Sequence, residues 1–510
     1  MTTETSSSDR REGPVSRRVI VIGAGLGGLS AAIGCAAKGF EVELFEKNDR
    51  IGGKLNRADQ EGFGFDLGPS ILTLPEVFRD LFRRAGLRLE DHVPIRPLDL
   101  HWRNFFEDGS HIDLVADLDR QKQLLAAVDP KAPAQFEGFL AYSRRQYELC
   151  ESGYLRGTDR PLTLIRNLLG RGLFQLGLLG SMHGKVASFF SEPRLQAIFD
   201  YFAKYIGSSP YNAPGMINLL PWVQYRYGLW YVDGGLYGLA EGMRVALEKL
   251  SVRLHLNREV AAINTRGDTV TGVTLADGEE RRADTVICNM DVIPAHDKLL
   301  KAPLGPWSRR KLEPACSGLV IHLGVDRIYP QLAHHNFFHS ANPREHFRTV
   351  FDRKRLPEDP TIYLVAPTRT DPGQAPPGCD NLKLLPHIPA LDPQHPPTAE
   401  DYRALRDRVL AKCERMGLTD LRRHIRVEET WTPLDIEARY ASNRGAIYGV
   451  VSDRFKNLAF KAPKQSRHFA NLYFAGGSVN PGPGMPMVTA CGLQVADMIA
   501  NGQQEPKENP

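Results

Sequence analysis

A glycine motif close to the start of the sequence could hold the diphosphate of a dinucleotide. Gly23, Gly25 and Gly28 form G-x-G-x-x-G, with Ala24 and Gly27 inside it. The first glycine allows a tight turn, the second lets backbone approach a pyrophosphate, and the third lets a helix pack on a strand. The free N–H groups and the dipole of that helix N-terminus would favour the anion.

An acid beyond this motif indicates which dinucleotide is bound. Glu46 lies about 20 residues on, where an acid accepts from a ribose 2′-hydroxyl and repels a 2′-phosphate. The segment that follows the acid contains Lys47, Arg50, Gly52, Gly53 and Lys54. In flavoproteins such a segment passes the pyrophosphate and the flavin. We therefore expect FAD rather than NAD or NADP.

The elements that must position these residues follow in β–α–β order. Residues 17–22 are a β-branched run typical of a strand, 29–38 have the small and apolar pattern of a close-packed helix, and 42–45 form a second strand. A glycine turn without a nucleotide is the alternative reading of the motif. This order of elements, which ends on the acid, disfavours that alternative.

A second glycine segment lies near the end of the chain. A strand over 472–475 leads to Gly476 and Gly477, and after a Pro/Gly loop a helix begins at about Met487. The N-terminus of this helix could meet the flavin ring or the ribityl diphosphate.

Length and composition predict a multidomain enzyme-sized protein. The chain has 510 residues, of which 42% are hydrophobic and 24% charged, which suits two or three domains with a large core. A net charge of +4 from 64 basic and 60 acidic groups argues against a nucleic-acid partner. The 7 cysteines lack metal-ligand spacing, so we expect reduced thiols, a cytosolic protein and no metal site.

The pattern predicts an α/β fold in which a Rossmann-like FAD-binding domain is interrupted by an α+β domain for substrate and membrane contact. We expect residues 1–16 and 501–510 to be disordered, and no stretch of 18 apolar residues predicts a spanning helix. The FAD-binding parts are 17–100, 231–291 and 426–500, and the inserted parts are 101–230 and 292–425.

Residues 161–191 have a composition suited to a membrane surface. They contain no acidic residue, three basic residues and many Leu, Phe and Gly. Such a segment can lie on an anionic bilayer, where a hydrophobic substrate could enter. The alternative is a buried pair of helices. We expect a cytoplasmic protein peripherally associated with the membrane.

Several longer motifs extend these signals, among them DLGPSILTLPEVF, KYIGSSPYNAP, GLWYVDGG, NMDVIPA, SNRGAIYGVV and GGSVNPGPGMPMVT. Over residues 17–500 the chain resembles the bacterial-type carotenoid desaturase and oxidase family (the phytoene desaturase family), flavoproteins related to the amine oxidases. The resemblance implies an amine-oxidase-like fold and a lipophilic carotenoid substrate. It implies FAD contacts from the glycines, Glu46 and Lys54, from Val260 facing the adenine, and from Gly476, Gly477 and the helix entered at Met487.

Within this family the chain looks most like members that oxidise the terminal methyl group of a C30 carotenoid, 4,4′-diaponeurosporene or diapolycopene, to an aldehyde. The alternative is a desaturase, which ends in a new C=C bond. An amine oxidase and a non-catalytic carotenoid-binding protein are disfavoured by the acid-free segment and the intact FAD motifs respectively.

The chemistry we expect is flavin-mediated allylic oxidation of the methyl group, followed by addition of oxygen. A polyene has almost no polar handle, so its site must be apolar. Aromatic candidates for such a site are Phe199, Tyr201, Phe202, Tyr205, Trp230, Phe337 and Phe338. Candidate polar groups near the reacting end are His334, His335, Asn336, Arg444 and Asn480.

Overall fold

Five parallel strands form the sheet that carries the glycine motif, which we call the nucleotide sheet. The computed structural model describes residues 17–151, 155 and 175–502. In this sheet the strands are all parallel, in the order Leu472–Phe474, Thr285–Cys288, Arg18–Ile22, Glu41–Phe45 and Arg253–His255. The central strand is apolar and buried after its first residue, as expected of a parallel sheet covered on both faces.

Two helices with small residues pack side by side on this sheet. Leu26–Ala36 contacts the C-terminal helix Met485–Ala500 so closely that a Cβ on Gly34 would lie 2.7 Å from the Ala496 Cβ. The Ser30 hydroxyl donates to a carbonyl of the second helix at 2.5 Å. The two helices run in the same direction, and the first turn of each lines one cavity.

A larger mixed sheet, the second sheet, stands beside the first. Its strands follow the order Ile425–Trp431, Val320–Val325, Asp380–Ile388, Ile362–Val365, His335–Phe338, Leu100–Phe105 and His111–Val115, with Ser317–Gly318 paired to Asp380–Ile388. Five of these strands are buried at every residue: Ser317–Gly318, Val320–Val325, His335–Phe338, Ile362–Val365 and Asp380–Ile388. The sheet is therefore covered on both faces, and Ala399–Arg415 packs on one of them.

The remaining strands form small sheets that support the two large ones. They are the three-stranded unit Val260–Arg266, Thr269–Leu275 and Glu280–Arg282, and the pairs Arg57–Gln60 with Phe63–Asp66 and Ile95–Pro97 with Trp230–Val232. The other α-helices of the described ranges are Pro75–Arg84, Leu118–Ala126, Ala132–Cys150, Met182–Phe189, Pro193–Asp200, Leu219–Tyr227, Gly238–Lys249, Val292–Pro294, Pro306–Lys311, Pro343–Phe347 and Pro433–Tyr440.

The predicted α/β class with a parallel nucleotide-binding sheet is confirmed, and the differences are at element ends. The first helix begins at Leu26 rather than 29 because its glycines are themselves helical. The C-terminal helix begins at Met485 rather than 487, because a proline is tolerated in a first helical turn.

The domain ranges remain a prediction, and strand pairing crosses two of them. The strand Ile425–Trp431 falls almost wholly within the predicted range 426–500, yet it pairs with Val320–Val325 in the second sheet. Leu100–Phe105 belongs to the same sheet. The predicted disordered residues 1–16 and 503–510, and residues 161–174 of the predicted membrane segment, lie outside the described residues. Within the described residues, no helix has the length and apolarity needed to span a bilayer.

Candidate active site

A cavity of about 350 Å³ lies where the strands of the nucleotide sheet end, and it reaches the second sheet. Parallel α/β sheets bind ligands at the carboxyl ends of their strands. We call the part lined by Gly23, Gly25, Gly52, Gly53, Gly476 and Gly477 the glycine end. We call the part lined by Lys204, Tyr205, Tyr363, Leu385 and Tyr448 the aromatic end.

The glycine motif leaves no room for side chains. Gly23 has a φ of +92°, a backbone region open to glycine. A Cβ on Gly28 would lie 2.0 Å from the Gly23 carbonyl oxygen, and one on Gly25 would lie 2.7 Å from Asn289 Oδ1. The helix begins at Gly25 without a side-chain cap, so its first N–H groups are free to bind an anion.

Glu46 is buried and lines the cavity. One carboxylate oxygen accepts from the Ala24 N–H at 2.8 Å, and the other accepts from the Asn48 N–H at 3.0 Å and its side-chain amide at 2.8 Å. These donors hold the carboxylate beside the turn, where a ribose hydroxyl can reach it.

The predicted extension of the motif folds back onto the turn. Gly53, with a φ of +58°, approaches so closely that its Cβ would lie 3.0 Å from the Gly25 Cα. The Lys54 ammonium donates to the Ala446 carbonyl at 2.8 Å, and burial lowers its pKa. Lys47 donates to the Ala438 carbonyl at 2.8 Å. Both lysines therefore tie the glycine end to the segment 438–446.

The C-terminal segment closes the cavity opposite the motif. Gly476, Gly477 and Val260 line the cavity as predicted positions. Met487 is not among the lining residues, although Met485 and Val488 are. Positions 485 and 488 share the side of the first helical turn that faces the cavity, and position 487 lies on another side.

Asn289 is a site residue that the motif search did not find. Its side-chain amide donates to the Ala475 carbonyl at 2.9 Å, and its atoms lie within 3 Å of where a Cβ on Gly25, Gly27 or Gly476 would stand. It thus joins the two glycine segments. Its position directly after the strand Thr285–Cys288 was the available signal, because that strand ends at the cavity.

The aromatic end takes its side chains from distant parts of the chain. Gly449 brings Tyr448 to the C-terminal segment, since a Cβ there would lie 2.5 Å from the Gly477 carbonyl. The Tyr363 hydroxyl bonds to His335 Nδ1 at 3.0 Å, and the Tyr205 hydroxyl donates to Gln224 at 2.9 Å. Burial raises the pKa of these three phenols, so all are neutral.

Two lysines also line this cavity. Lys383 Nζ donates to the carbonyls of Asp66 (3.0 Å) and Gly68 and lies 3.2 Å from the Ser70 hydroxyl. Burial lowers its pKa to about 8, and the nearby Asp66 carboxylate opposes that shift. Within the described residues, Lys204 Nζ has no hydrogen-bond or ion-pair partner of this kind.

The predicted polar candidates do not line the cavity. His334 bonds to the Thr370 hydroxyl at 2.7 Å, and the Asn336 amide binds the Ala333 backbone on both sides. Arg444 donates to the Leu391 carbonyl, and Asn480 accepts from the Lys461 N–H at 2.8 Å. His335 stands behind Tyr363. The catalytic role of these predicted candidates remains a prediction. The hydrogen bonds described for them are all to other groups of the protein.

Other predicted features have a simple placement. Six of the 7 cysteines are buried, and Cys379 is half-buried. Within the described residues, no group of three or more His, Cys, Asp or Glu side chains is arranged to hold a metal ion.

The glycine end fits the diphosphate and ribose of FAD. Added side chains would fill the cradle, the helix N-terminus is uncapped, and a held carboxylate stands beside the turn. The groups that would bind FAD are the N–H groups of the glycine turn, Glu46, the Gly52–Gly53 segment and the Gly476–Gly477 segment. The aromatic end then remains for an apolar substrate.

Comparison with known proteins agrees with this geometry. The family of flavin containing amine oxidoreductases matches residues 26–500. The chain is 56% identical over 488 residues to the 4,4′-diapolycopene oxygenase of Methylomonas sp, with 95% of this chain and 98% of that protein covered. It is 47% identical over 492 residues to the 4,4′-diaponeurosporene oxygenase of Staphylococcus haemolyticus, covering 95% and 97%.

Solved structures share the fold at much lower sequence identity. A putrescine oxidase bearing three engineered substitutions superposes with a TM-score of 0.65 at 13% identity, covering 96% of this chain and 99% of that one. The cyclohexylamine oxidase of Brevibacterium oxydans superposes with a TM-score of 0.59 at 18% identity, with coverage of 96% and 99%.

Proposed function

We propose that this chain, which belongs to the family of flavin containing amine oxidoreductases, oxidises the terminal methyl group of a C30 carotenoid to an aldehyde with FAD as cofactor. The observation that carries this proposal is the 56% identity to a 4,4′-diapolycopene oxygenase over 95% of the chain. The flavoprotein family and the FAD cofactor expected from the sequence are thereby confirmed.

The cavity is suited to such a substrate. Its aromatic end presents rings and aliphatic side chains, and burial of each CH₂ group of a polyene contributes about 0.8 kcal/mol. The hydroxyls of Tyr205 and Tyr363 are already bonded to protein groups. These two tyrosines therefore present their rings to the substrate with their hydroxyls already satisfied, and a hydrocarbon chain can bind beside them without hydrogen bonds.

The chain's own residues divide the work of the reaction. FAD supplies the two-electron oxidation when bound. Gly25, Glu46 and Gly476 hold that cofactor at the glycine end, and the aromatic end orients the chain terminus and limits water. Loss of a hydride from the methyl group and addition of water with release of a proton would give the alcohol. Loss of a second hydride and a proton would give the aldehyde.

Product analysis tests this function directly. The protein would be expressed in cells that already make 4,4′-diaponeurosporene or diapolycopene. The carotenoids would then be separated by liquid chromatography and their masses measured by mass spectrometry. Gain of one oxygen with loss of two hydrogens is the expected result. Loss of two hydrogens alone, with a red-shifted polyene spectrum, would make the protein a desaturase instead.

We further propose that the protein meets its substrate at the surface of an anionic membrane. The substrate class is lipophilic, and Leu179 in the described part of the predicted segment is 91% exposed. A second surface, the basic aromatic surface, supports the proposal with Trp307 at 68% and Phe455 at 78% exposure. The exposed basic residues of this surface are Lys298, Lys301, Arg310 and Arg467.

The parts of the basic aromatic surface are held together by direct contacts. The Asn457 amide donates to the Lys311 carbonyl at 2.9 Å, which joins the helix of Trp307 to the loop of Phe455. Lys311 Nζ lies 3.3 Å from the centre of the Trp307 ring. Exposed rings that each contact a cation, Lys311 over Trp307 and Arg454 over Phe455, suit the interface of an anionic bilayer.

A further inference from the structure

Lys204 is a buried lysine enclosed by aromatic rings at the cavity wall. Its Nζ lies 4.3 Å from the ring centre of Tyr205 and 4.4 Å from that of Tyr363. The rings of Trp102 and Phe337 follow at 5.0 and 5.2 Å. The amine therefore stands in a cage of four rings that opens into the cavity.

No charged partner accompanies this amine. Across residues 17–151 and 175–502, no carboxylate forms an ion pair with Lys204 and no side-chain or backbone acceptor binds its Nζ, whereas Lys383 is bonded to two carbonyls. A buried ammonium without a partner is costly, and burial lowers the pKa of Lys204 well below its ordinary value. Burial therefore favours the neutral amine, whose nitrogen carries a lone pair.

The groups facing Lys204 from the surrounding elements are also neutral. Burial raises the pKa of the phenols and lowers the pKa of the imidazoles around it. These groups are Tyr201, Tyr205, Tyr363, His335 and His387. Tyr205 and Tyr363 also line the cavity, but their hydroxyls are bonded to protein groups, whereas Lys204 Nζ has no hydrogen-bond partner among the described residues.

We propose that Lys204 forms an oxygen subsite at the aromatic end, which binds the hydroxyl of the primary polyene alcohol and accepts its proton as that alcohol is oxidised to the aldehyde. This inference rests on the proposed function, in which the alcohol precedes the aldehyde. The hydrocarbon substrate has no group for this subsite, so Lys204 separates the second oxidation from the first.

In the oxidation of the alcohol, FAD would take up the hydride and Lys204 the proton. The C–H and O–H bonds of the carbinol break and a C=O bond forms; two electrons leave with the hydride to the oxidant FAD. The proton passes to the Lys204 nitrogen, which becomes an ammonium. The four rings stabilise that cation through their negative faces, so the cage that holds a neutral amine also tolerates the charged product.

Lys204→Met and Lys204→Arg test the subsite. The methionine keeps the apolar stem without a base, and the arginine introduces a permanent charge and cannot accept a proton at neutral pH. Each purified holoenzyme would receive the hydrocarbon and, separately, the primary alcohol. In both variants we expect oxidation of the alcohol to fall about 100-fold or more, while the first oxidation stays within about threefold. The alcohol therefore accumulates.

Two further readouts do not depend on that ratio. The aldehyde product, titrated by quenching of tryptophan fluorescence, should bind about tenfold more weakly to Lys204→Met, because one hydrogen bond to its oxygen is lost. In the natural protein, oxidation of the alcohol should decline as pH falls and Lys204 becomes protonated, while the first oxidation should not follow that limb.

Lys461→Met is the matched control, because Lys461 is a buried lysine bonded to Val451 and Ser452 and does not line the cavity. It should leave the ratio of alcohol to aldehyde unchanged. Equal loss of both oxidations in Lys204→Met with normal flavin content, or normal alcohol oxidation in that variant, would overturn the subsite. A natural protein that forms neither alcohol nor aldehyde would instead refute the proposed function.

Discussion

Backbone makes the contacts at the glycine end of the cavity, and side chains make them at the aromatic end. At the first end, added Cβ atoms would lie 2.0 to 3.0 Å from other atoms at Gly28, Gly25 and Gly53. At the second end, four rings surround Lys204 at 4.3 to 5.2 Å. Substitutions at the glycine end should therefore act on the binding of FAD. Substitutions at the aromatic end can change which of the two oxidations proceeds.

The strongest test of this contrast is Gly28→Val. Its Cβ would stand 2.0 Å from the Gly23 carbonyl oxygen, a distance that the turn can relieve only by moving. We expect purified protein with no bound flavin and no product, measured by absorbance at the flavin bands.

Gly305→Ala controls for the loss of a glycine as such. Gly305 precedes a helix with ordinary φ, and no atom lies within 4 Å of its Cβ position. It should retain full flavin content. Normal flavin in Gly28→Val would mean that the turn does not hold the cofactor.

A smaller effect is expected from Glu46→Gln, which changes one ligand group while leaving the backbone cradle intact. The carboxylate accepts three hydrogen bonds, from Ala24 and Asn48, and an amide nitrogen in its place would face a donor. We expect affinity for FAD to fall about 10-fold or more, by about 1.5 to 3 kcal/mol for a charged hydrogen bond.

Titration of flavin-free protein with FAD measures this change. The oxidation rate at saturating FAD should recover, because the aromatic end is untouched. A rate that stays low at saturation would place Glu46 in the reaction itself.

The two ends also differ in how far sequence could predict them. Backbone geometry at the glycine end requires glycine, so Gly23, Gly25, Gly28 and the acid Glu46 are legible in order along the chain. Asn289 was missed because it has no motif of its own and acts through its place after a strand.

For the aromatic end, the sequence predicts only that aromatic and apolar residues line a substrate site, and not which of them meet there. Lys204, Tyr363 and Tyr448 come from separate elements, and nothing local in the chain says that they meet. Strand adjacency brings them together, and sequence does not fix it: His335–Phe338 pairs in parallel with Leu100–Phe105 across more than 200 positions. The catalytic role predicted for His334 and Asn336 stays a prediction, and in the structure these residues bind the Thr370 hydroxyl and the Ala333 backbone respectively.

Buried neutral histidines in and beside the second sheet should make the stability of the folded protein sensitive to acid. Burial lowers the pKa of His101 and of His346 to about 4, in the second sheet and a helix that packs beside it. The unfolded chain binds protons below about pH 6.5 and the folded chain does not, so stability falls as pH drops from about 6.5 towards 4. Each such histidine contributes about 1.4 kcal/mol per pH unit at most.

His346→Gln isolates one of these groups. In the part of the chain that the structure describes, neither ring nitrogen of His346 has a hydrogen-bond partner, so the neutral amide removes a titration at little cost in contacts. Urea unfolding at pH 7 and pH 5 should show a pH slope shallower by about one proton. An unchanged slope would show that His346 does not set the acid limit.

The mildest effect separates the ends by where their ligands come from. FAD would reach the glycine end from water, whereas we propose that the carotenoid reaches the aromatic end from lipid. Trp307→Ser with Phe455→Ser should therefore weaken binding to anionic vesicles about three- to tenfold and slow oxidation of vesicle-borne carotenoid, while affinity for FAD stays unchanged.

Leu179→Ser on the predicted segment is the matched comparison. If it reduces vesicle binding and the aromatic pair does not, the membrane-facing surface is the segment rather than the basic aromatic surface. Binding that is equal on zwitterionic vesicles would contradict the role of the exposed cations, because their attraction depends on anionic lipid.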